Sequence, residues 1–326
     1  MFNIDALFEA VREKGHVCVG LDTAPEYIPP LEQKKAASGA EAVLAFNRAL
    51  VDATLDSAAC YKVQIAYYEA LGLDGLKCYA QTLSYIREKG ALVIADIKRG
   101  DIADTALQYA RAHFEGDFEA DFVTLSPYMG MDSIEPWLSF AEKKGKGAFV
   151  LMKTSNKGMK DFEYLELKET GAPQGYSPAG ILSGGKNAAF PRRLYDAVGE
   201  RLSALAEKYQ GASGYGAFGA VAGADPKSGA ERDEAEAIRE RYRKLFFLIP
   251  GYGAQGGAAK DAALFLREGN GGVVNASRSI LKAWTRAAES AGLPPENIDN
   301  AFAARAARQA AVEMRDAIRA ASSPAR

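Results

Sequence analysis

The sequence predicts an α/β protein: a parallel, eight-stranded (β/α)8 barrel (TIM barrel) with extra helices at its amino and carboxyl ends. Short apolar runs alternate with helix-forming segments along the 326 residues. Most of these runs are continuously apolar, which is typical of parallel strands covered on both faces. An open doubly wound sheet is the alternative, but such sheets usually have fewer strands, and no Gly-x-Gly-x-x-Gly follows the first strand here.

Eight segments have the length and the apolar character of buried strands, from HVCVGL near the amino end to GVVNA near the carboxyl end. Several are followed at once by charged, amide or glycine residues, which predicts a polar edge where the strands leave the core. The predicted strands are 16–21, 60–65, 92–98, 122–126, 148–153, 217–222, 246–250 and 272–276.

Helical periodicity fills the intervals between these strands. The first 15 residues form an amphipathic helix that contains acidic residues, so they lack the basic-then-apolar layout of a signal peptide. The last helix is long and follows the eighth strand unit. The remaining predicted helices are 39–58, 75–88, 105–114, 134–143, 191–209, 230–243, 260–267, 280–291 and 300–320.

Length and composition predict one large domain over residues 1–326, with an irregular insertion at about 156–190 and a carboxyl-terminal helical extension at about 294–326. A net charge of −2 gives no reason to expect nucleic acid or an anionic membrane as partner, and no apolar run approaches the ~20 residues that span a bilayer. Three scattered cysteines indicate a reduced, cytoplasmic protein, and two isolated histidines argue against a Ser-His-Asp triad or a histidine-rich metal site.

The most informative segment is ALVIADIKRGDIADTA, residues 91–106. Its apolar run leads into Asp96, Lys98 and Asp101, and Asp96 and Lys98 share one face because residues two apart on a strand do so. Charges at the end of a buried strand are costly unless they are paired or used. A purely structural explanation remains open, with Asp101 and Asp104 as a helix cap and Asp96 and Lys98 as an ordinary ion pair.

The last two strands are followed by segments that suit a phosphate group, PGYGAQGG at 250–257 and NASRS at 275–279. Barrel enzymes commonly hold phosphate at this position. Glycines let backbone amides approach an anion, a helix N-terminus attracts it, and Arg278 presents a planar guanidinium to its oxygens. Gln255 adds an amide donor. The alternative is a glycine-rich turn beside an exposed arginine.

The sequence predicts a row of alternating charge that consists of Lys62, Asp96, Lys98 and Asp101. Each lysine flanked by carboxylates stays protonated, and each carboxylate flanked by lysines stays ionised. Such a row offers a cation that stabilises a developing negative charge and then gives up a proton. It also offers a carboxylate that repels a carboxylate of the substrate. These features predict loss of carbon dioxide from an anionic, phosphorylated substrate without a cofactor.

These motifs resemble the orotidine 5′-phosphate decarboxylase family, in its longer-chain bacterial branch. The resemblance covers about residues 22–279. Asp-x-Lys-x-x-Asp alone marks a wider superfamily of barrels, whereas its combination with Lys62 and the phosphate loop is specific. The matching segments are DIKRGDI at 96–102, KVQIA at 62–66, KTSN at 153–156, and the 250–257 loop with Arg278.

The resemblance implies a carboxy-lyase that converts orotidine 5′-monophosphate to uridine 5′-monophosphate, the last step of de novo UMP synthesis, with no cofactor and no metal. Lys98 would face the C6 carbanion and protonate it, and Asp96 would sit against the departing carboxylate. Lys62 and Asp101 would complete the charged network. The implied substrate contacts are Lys62 and Asp22 at the ribose, Ser155 at the pyrimidine amide edge, Pro250 in the phosphate loop, and Gln255 and Arg278 at the 5′-phosphate.

The resemblance also implies a homodimer with shared active sites, because the residues that match Asp101, Ile102 and Thr105 reach into the neighbouring site in this family. Two rival functions remain. One is a magnesium-dependent 3-keto-gulonate-6-phosphate decarboxylase or hexulose-phosphate synthase, whose strand-two position carries a metal-binding glutamate where this chain has Lys62. The other is a non-catalytic phosphate-binding barrel.

Overall fold

Eight parallel strands close into a barrel in the computed structural model, which describes residues 1–167, 191–223, 226, 228–253 and 258–322. Each strand pairs with its two neighbours in chain order, and the eighth pairs back on the first. The strands are β1 (Val17–Gly20), β2 (Cys60–Gln64), β3 (Leu92–Arg99), β4 (Phe122–Leu125), β5 (Gly147–Lys153), β6 (Phe218–Ala222), β7 (Phe247–Ile249) and β8 (Gly272–Ala276).

All eight predicted strands are confirmed, and their ends differ from the prediction by no more than one residue. The continuous apolar runs are buried along β1, β4, β6 and β8, as expected for strands covered on both faces. The predicted seventh strand ends one residue early because Pro250 has no N–H to continue the ladder.

Helices lie outside the barrel, and the structure adds short ones that periodicity did not predict, namely α2, α4 and α8. The predicted helix 260–267 ends at Ala263, and the predicted helix 280–291 is divided at Lys282. The helices are α1 (Asn3–Lys14), α2 (Pro30–Lys35), α3 (Gly39–Thr54), α4 (Ile65–Glu69), α5 (Gly72–Glu88), α6 (Ala103–Phe114), α7 (Glu135–Lys144), α8 (Met159–Phe162), α9 (Leu194–Lys208), α10 (Gly229–Arg241), α11 (Ala259–Ala263), α12 (Arg278–Leu281), α13 (Ala283–Ser290) and α14 (Asn300–Ser322).

Helix α1 closes the amino-terminal end of the barrel. Its Ile4, Leu7 and Val11 are buried in one cluster with strand residues such as Phe122 and Phe149. Burying this apolar face supplies the favourable free energy that holds α1 across the barrel mouth. The interior of the barrel is therefore covered at its amino-terminal end.

Helix α14 packs against α3, α11 and α13 and buries small residues, among them Ala303, Ala307 and Ala311. Alanine lets the backbones of packed helices approach closely, so α14 lies tight against the outer layer. The predicted extra helices at both ends of the chain are thus present. Among the described residues, no helix is both long and apolar enough to cross a bilayer.

The predicted insertion at 156–190 is described only at its two ends. Helix α8 lies in its first part, and residues 168–190 lie outside the described residues. The two described ends of the insertion are hydrogen-bonded to each other. The Leu167 N–H donates to the Arg192 carbonyl at 2.8 Å, and the Leu194 N–H donates to the Leu165 carbonyl at 2.9 Å.

Candidate active site

Two adjoining cavities open at the carboxyl ends of the strands. The first, of about 340 Å³, extends to Asp22 and Arg278. The second, of about 230 Å³, extends to Ser155 and Asn156. The lining that both cavities have in common is Lys62, Asp96, Lys98, Pro250 and Asn275. An elongated ligand can therefore reach both cavities across the charged residues that the sequence predicted.

A larger cavity, of about 660 Å³, lies at the opposite end of the barrel. It is bounded by the start of α1, by Lys143 and Lys144 at the end of α7, and by Gln210. Cavity size alone would place the site there. We locate the site at the carboxyl ends instead, because the paired charges converge there and barrel enzymes carry their chemistry at that end.

Four charged side chains form a continuous row along the shared lining. The Nζ of Lys62 lies 3.1 Å from Oδ1 of Asp22 and 2.8 Å from Oδ2 of Asp96, and the Nζ of Lys98 lies 2.6 Å from Oδ1 of Asp96. The side chains of Lys62 and Asp96 are each 6% exposed, whereas that of Lys98 is 47% exposed. Lys98 therefore presents the one ammonium of the row that is open to a ligand.

The row fixes the charge states of its buried members. Burial alone raises the pKa of Asp96, but the ammonium groups of Lys62 and Lys98 outweigh burial and hold that pKa well below its usual range. Burial likewise opposes the charge on Lys62, but Asp22 and Asp96 raise its pKa above the ordinary value. Asp96 is therefore a carboxylate and Lys62 an ammonium at neutral pH, as the sequence predicted.

The Asp96 carboxylate has no freedom to turn. Its Oδ2 accepts hydrogen bonds from Lys62 and from Gln64 Nε2, the latter at 3.0 Å. Its Oδ1 accepts hydrogen bonds from Lys98 and from the Thr124 hydroxyl, the latter at 2.8 Å. Because an ionised carboxylate has about four lone-pair directions, all of its acceptor capacity is used inside the chain.

Asp22, at the other end of the row, is oriented by Asn275 of β8 and by Ser277, which follows that strand. Ser277 Oγ donates to its Oδ2 at 2.9 Å, and Asn275 Nδ2 donates to that hydroxyl at 3.3 Å. Residue 20 must be glycine for this contact, since a Cβ there would lie 2.0 Å from Ser277 Oγ. Two polar groups that the sequence did not single out thus hold Asp22 in its pairing with Lys62, a pairing that the sequence did not predict.

Arg278 lies at the outer end of the first cavity, where the phosphate site was predicted. It is exposed and opens α12, and Pro250 and Gly251 of the preceding loop line the same cavity. Gly251 and Gly253 have φ of 104° and 74°, conformations that favour glycine. Gln255, predicted to share the phosphate, lies outside the described residues.

Ser155 lines the second cavity, beside three apolar residues of β5, β6 and β7, namely Leu151, Val221 and Leu248. The loop that carries it is anchored by Glu163, whose carboxylate accepts both the Thr154 N–H at 2.8 Å and the Thr154 hydroxyl at 2.7 Å. A polar loop facing an apolar wall suits a flat heterocycle with hydrogen-bonding edges.

Asp101 does not join the charged row within one chain. Among the described residues its carboxylate pairs with neither lysine, and its Oδ1 accepts the Ile102 N–H at 2.8 Å. Ile102 and Thr105 are exposed. The three residues therefore stand at the rim of the barrel and away from the row. The helix cap at Asp101, which was the structural alternative to a catalytic role, is absent too, because α6 begins after Ile102 with no side-chain cap.

Several groups at the site were not predicted from the sequence, although some carried a signal. Gln64 stands two residues after Lys62 on β2, so strand alternation places both on one face. Thr124 is a polar residue inside an apolar run. The first cavity is also lined by three tyrosines from separate elements, which no pattern connected; they are Tyr27, Tyr67 and Tyr252.

Comparison with known sequences gives a consistent result over nearly the whole chain. The sequence model of the orotidine 5′-phosphate decarboxylase / HUMPS family matches residues 15–292. Over 315 residues the chain is 51% identical to the orotidine 5′-phosphate decarboxylase of Clostridium perfringens, and the alignment covers 97% of each protein.

Solved structures agree with the sequences. The chain is similar to an OMP decarboxylase of Leishmania donovani, with 29% identity, a TM-score of 0.68, and coverage of 98% of this chain and 99% of that one. It is also similar to a Leishmania donovani UMP synthase, with 31% identity, a TM-score of 0.70 and 98% of this chain covered. This chain spans 57% of the length of that larger protein.

Proposed function

The chain belongs to the orotidine 5′-phosphate decarboxylase / HUMPS family, and we propose that it decarboxylates orotidine 5′-monophosphate to uridine 5′-monophosphate. One observation carries this function beyond the family name. The ammonium of Lys62 stands between Asp22 and Asp96, and Asp96 in turn holds Lys98 at the open end of the row.

The charges account for the bond that breaks. A substrate carboxylate placed beside the ionised Asp96 is repelled in the ground state, and that repulsion is relieved as neutral carbon dioxide departs. The C6–carboxyl bond breaks, and its electron pair stays on C6. The Lys98 ammonium stabilises that pair, because it is a fixed positive charge held by Asp96 beside the place where negative charge develops.

Lys98 also supplies the proton. One N–H proton of its ammonium passes to C6 and forms the C6–H bond of the product, which leaves a neutral amine that regains a proton from water. Lys98 suits this role because its side chain is 47% exposed and hydrogen-bonded to Asp96. Lys62 is bound on two sides by Asp22 and Asp96, so its part is to hold the carboxylates in place.

The two cavities match the two ends of a nucleotide. Arg278 and the loop at Pro250 bind the 5′-phosphate, with Gln255 as a further donor, while Asp22 and Lys62 meet the ribose hydroxyls. Ser155 binds the amide edge of the pyrimidine in the second cavity. Binding energy from the phosphate end positions C6 against Lys98 and so contributes to the chemical step.

The magnesium-dependent relatives in this family are the nearest rival. Their reaction needs a divalent ion held by acidic side chains, whereas here the Lys62 ammonium sits 3.1 Å from Asp22 and 2.8 Å from Asp96. A second cation at those carboxylates would meet a full positive charge at close range. The residues of this site therefore favour the metal-independent reaction.

The test is an ultraviolet absorbance assay with orotidine 5′-monophosphate, run with and without a chelator. The expected result is chelator-resistant conversion to uridine 5′-monophosphate, with Lys98→Ala protein from the same preparation as the inactive control. Turnover that is lost on chelation would favour the magnesium-dependent reaction. Binding of the nucleotide without turnover would indicate a phosphate-binding barrel with no catalytic activity.

The working unit that we propose is a homodimer in which Asp101, Ile102 and Thr105 of one subunit complete the site of the other. The support is their position: Asp101 pairs with neither lysine among the described residues, and Ile102 and Thr105 are exposed at the barrel rim. Ile102 is a large apolar residue left 40% exposed in the single chain, and the partner subunit would cover it in the proposed dimer.

Complementation tests the shared site. Lys98→Ala and Asp101→Ala chains, each expected to be inactive alone, are co-expressed; random pairing would then restore about one quarter of the parental activity, because half of the dimers carry one intact site of two. Lys98→Ala paired with Asp96→Ala is the matched control, since both residues belong to the same half-site. Failure of the first pair to regain activity, or a monomer by sedimentation, would contradict the dimer.

We assign the enzyme to the cytoplasm. Its three cysteines, Cys18, Cys60 and Cys78, are free and buried, which suits a reducing compartment. Cell fractionation checks this assignment, and recovery of the activity with the membranes or outside the cell would contradict it.

A further inference from the structure

Strand β3 departs from regular pairing at the catalytic residues. Ala95 lies opposite Val123 of β4, and the next pair is Arg99 opposite Leu125. Three residues of β3, from Asp96 to Lys98, are therefore opposed by one residue of β4, Thr124. Irregularities of this kind are common at barrel rims beside active sites, where they redirect a side chain.

The hydroxyl of Thr124 bonds to all three residues of this irregular stretch. Its Oγ1 accepts the backbone N–H groups of Ile97 and Lys98, each at 3.0 Å, and donates its own hydrogen to Oδ1 of Asp96 at 2.8 Å. A hydroxyl has one hydrogen to donate and two lone pairs, so its whole capacity is used here. Thr124 is 1% exposed, so bulk water has no ready access to replace these bonds.

The stretch is strained as well as irregular. Lys98 has a φ of 44°, in the left-handed region that side-chain-bearing residues rarely adopt. Such a conformation persists only where surrounding bonds hold it, and it is common at functional sites. The hydrogen bond from the Lys98 N–H to Thr124 Oγ1 holds the backbone of the strained residue directly.

We propose that Thr124 is a positioning residue of the decarboxylase: its single hydroxyl fixes the orientation of the Asp96 carboxylate and the backbone of Lys98 together. The inference rests on the proposed function. Thr124 acts through Asp96 and Lys98, so its loss displaces the reacting groups and leaves the ribose and phosphate contacts intact. A buried threonine with a purely structural role would affect folding without this selective effect on the chemical step.

The experiment compares Thr124→Val, which keeps the shape and removes the hydroxyl, with Thr124→Ser, which keeps the hydroxyl. Thr54→Val is the matched control, since Thr54 is also fully buried and hydrogen-bonded, to the Leu50 carbonyl and Tyr61 Oη, but lies on α3 away from the site. For each protein we would measure kcat and KM with orotidine 5′-monophosphate, the Kd of uridine 5′-monophosphate, and the thermal midpoint.

We expect Thr124→Val to lower kcat by about 100-fold, as a misplacement of roughly 1 Å would, while the product Kd changes by less than about threefold. Thr124→Ser should stay within about fivefold of the parent, and Thr54→Val should lower the thermal midpoint and leave kcat unchanged. Should Thr124→Val fail to fold, Thr124→Cys against Thr124→Ser asks the same question, because a thiol is a weak hydrogen-bonding group.

Two outcomes overturn the proposal while leaving the proposed function standing. In the first, the parent is active and Thr124→Val, or Thr124→Cys, keeps the full kcat. In the second, the variant loses kcat and loses affinity for uridine 5′-monophosphate by the same factor. An inactive parent in the same assay would instead overturn the proposed function, and this inference with it.

Discussion

Lys98 and Asp96 are two positions apart on β3, and their Nζ and Oδ1 atoms lie 2.6 Å from each other although the backbone at Lys98 has left the regular strand conformation. The pair joins a buried carboxylate to a half-exposed ammonium. A charge that is paired on one side and open on the other is the arrangement that a proton donor needs.

Replacing Lys98 with alanine is expected to lower kcat by several orders of magnitude, on the order of 10³-fold or more, because it removes the group that we propose both stabilises the carbanion and donates the proton. Folding should change little, since the Lys98 side chain is 47% exposed and Asp96 keeps its bond to Lys62. Kinetics and circular dichroism check this, with Lys77→Ala on the surface as control. Near-normal activity would show that Lys98 is not the donor.

Replacing Arg278 with alanine is expected chiefly to raise KM, because we propose that its guanidinium binds the phosphate at a distance from C6. Adding a small guanidinium compound should restore part of the activity, since the vacated place remains shaped for a planar cation. Turnover of orotidine, which lacks the phosphate, should be unaffected by the substitution. An unchanged KM for the nucleotide would remove Arg278 from the phosphate site.

Replacing Gly223 with alanine is expected to disturb the second cavity. A Cβ at residue 223 would lie 2.8 Å from the Cβ of Ser155, so the loop must shift, and overpacking of this kind costs about 1–3 kcal/mol. We expect a rise in KM of about tenfold or more. Gly229→Ala is the control, because no atom lies within 4 Å of the added Cβ. Equal kinetics of the two variants would contradict the prediction.

Acid should destabilise the protein partly through His113. Its burial, reinforced by the positive charge of Arg99, lowers its pKa from 6.5 to about 4. The unfolded chain therefore binds a proton between pH 6.5 and 4 that the folded chain does not, so stability is full above pH 6.5 and falls as the pH drops toward 4. The shift corresponds to about 3 kcal/mol over that window.

His113→Phe is the variant that isolates this contribution, since the ring already packs against Tyr79 and Phe118. Urea unfolding at pH 4.5 and 7.5 should show a smaller loss of stability in the variant than in the parent. The loss should not vanish, because His16 has a pKa lowered to about 4 as well. Equal losses in both proteins would show that His113 titrates normally.

Much of the architecture followed from local patterns. Continuous apolar runs located all eight strands because a strand buried on both faces has no polar side to interrupt it. Helix ends were less accurate: the helix before Leu264 is shorter than predicted, and the helix at 280–291 breaks at Lys282. These ends depend on how the segment packs on the barrel, which periodicity does not record.

The sequence by itself determined the barrel, the chemical types at its strand ends and the sign of each charge in the row, because these depend on residue identity and spacing along single strands. The tertiary structure decided which groups meet. It separated Asp101 from the row, brought Ser277, which follows β8, onto Asp22, and set Thr124 of β4 against three residues of β3. Such contacts depend on the register and irregularity of neighbouring strands, which arise only when the barrel closes.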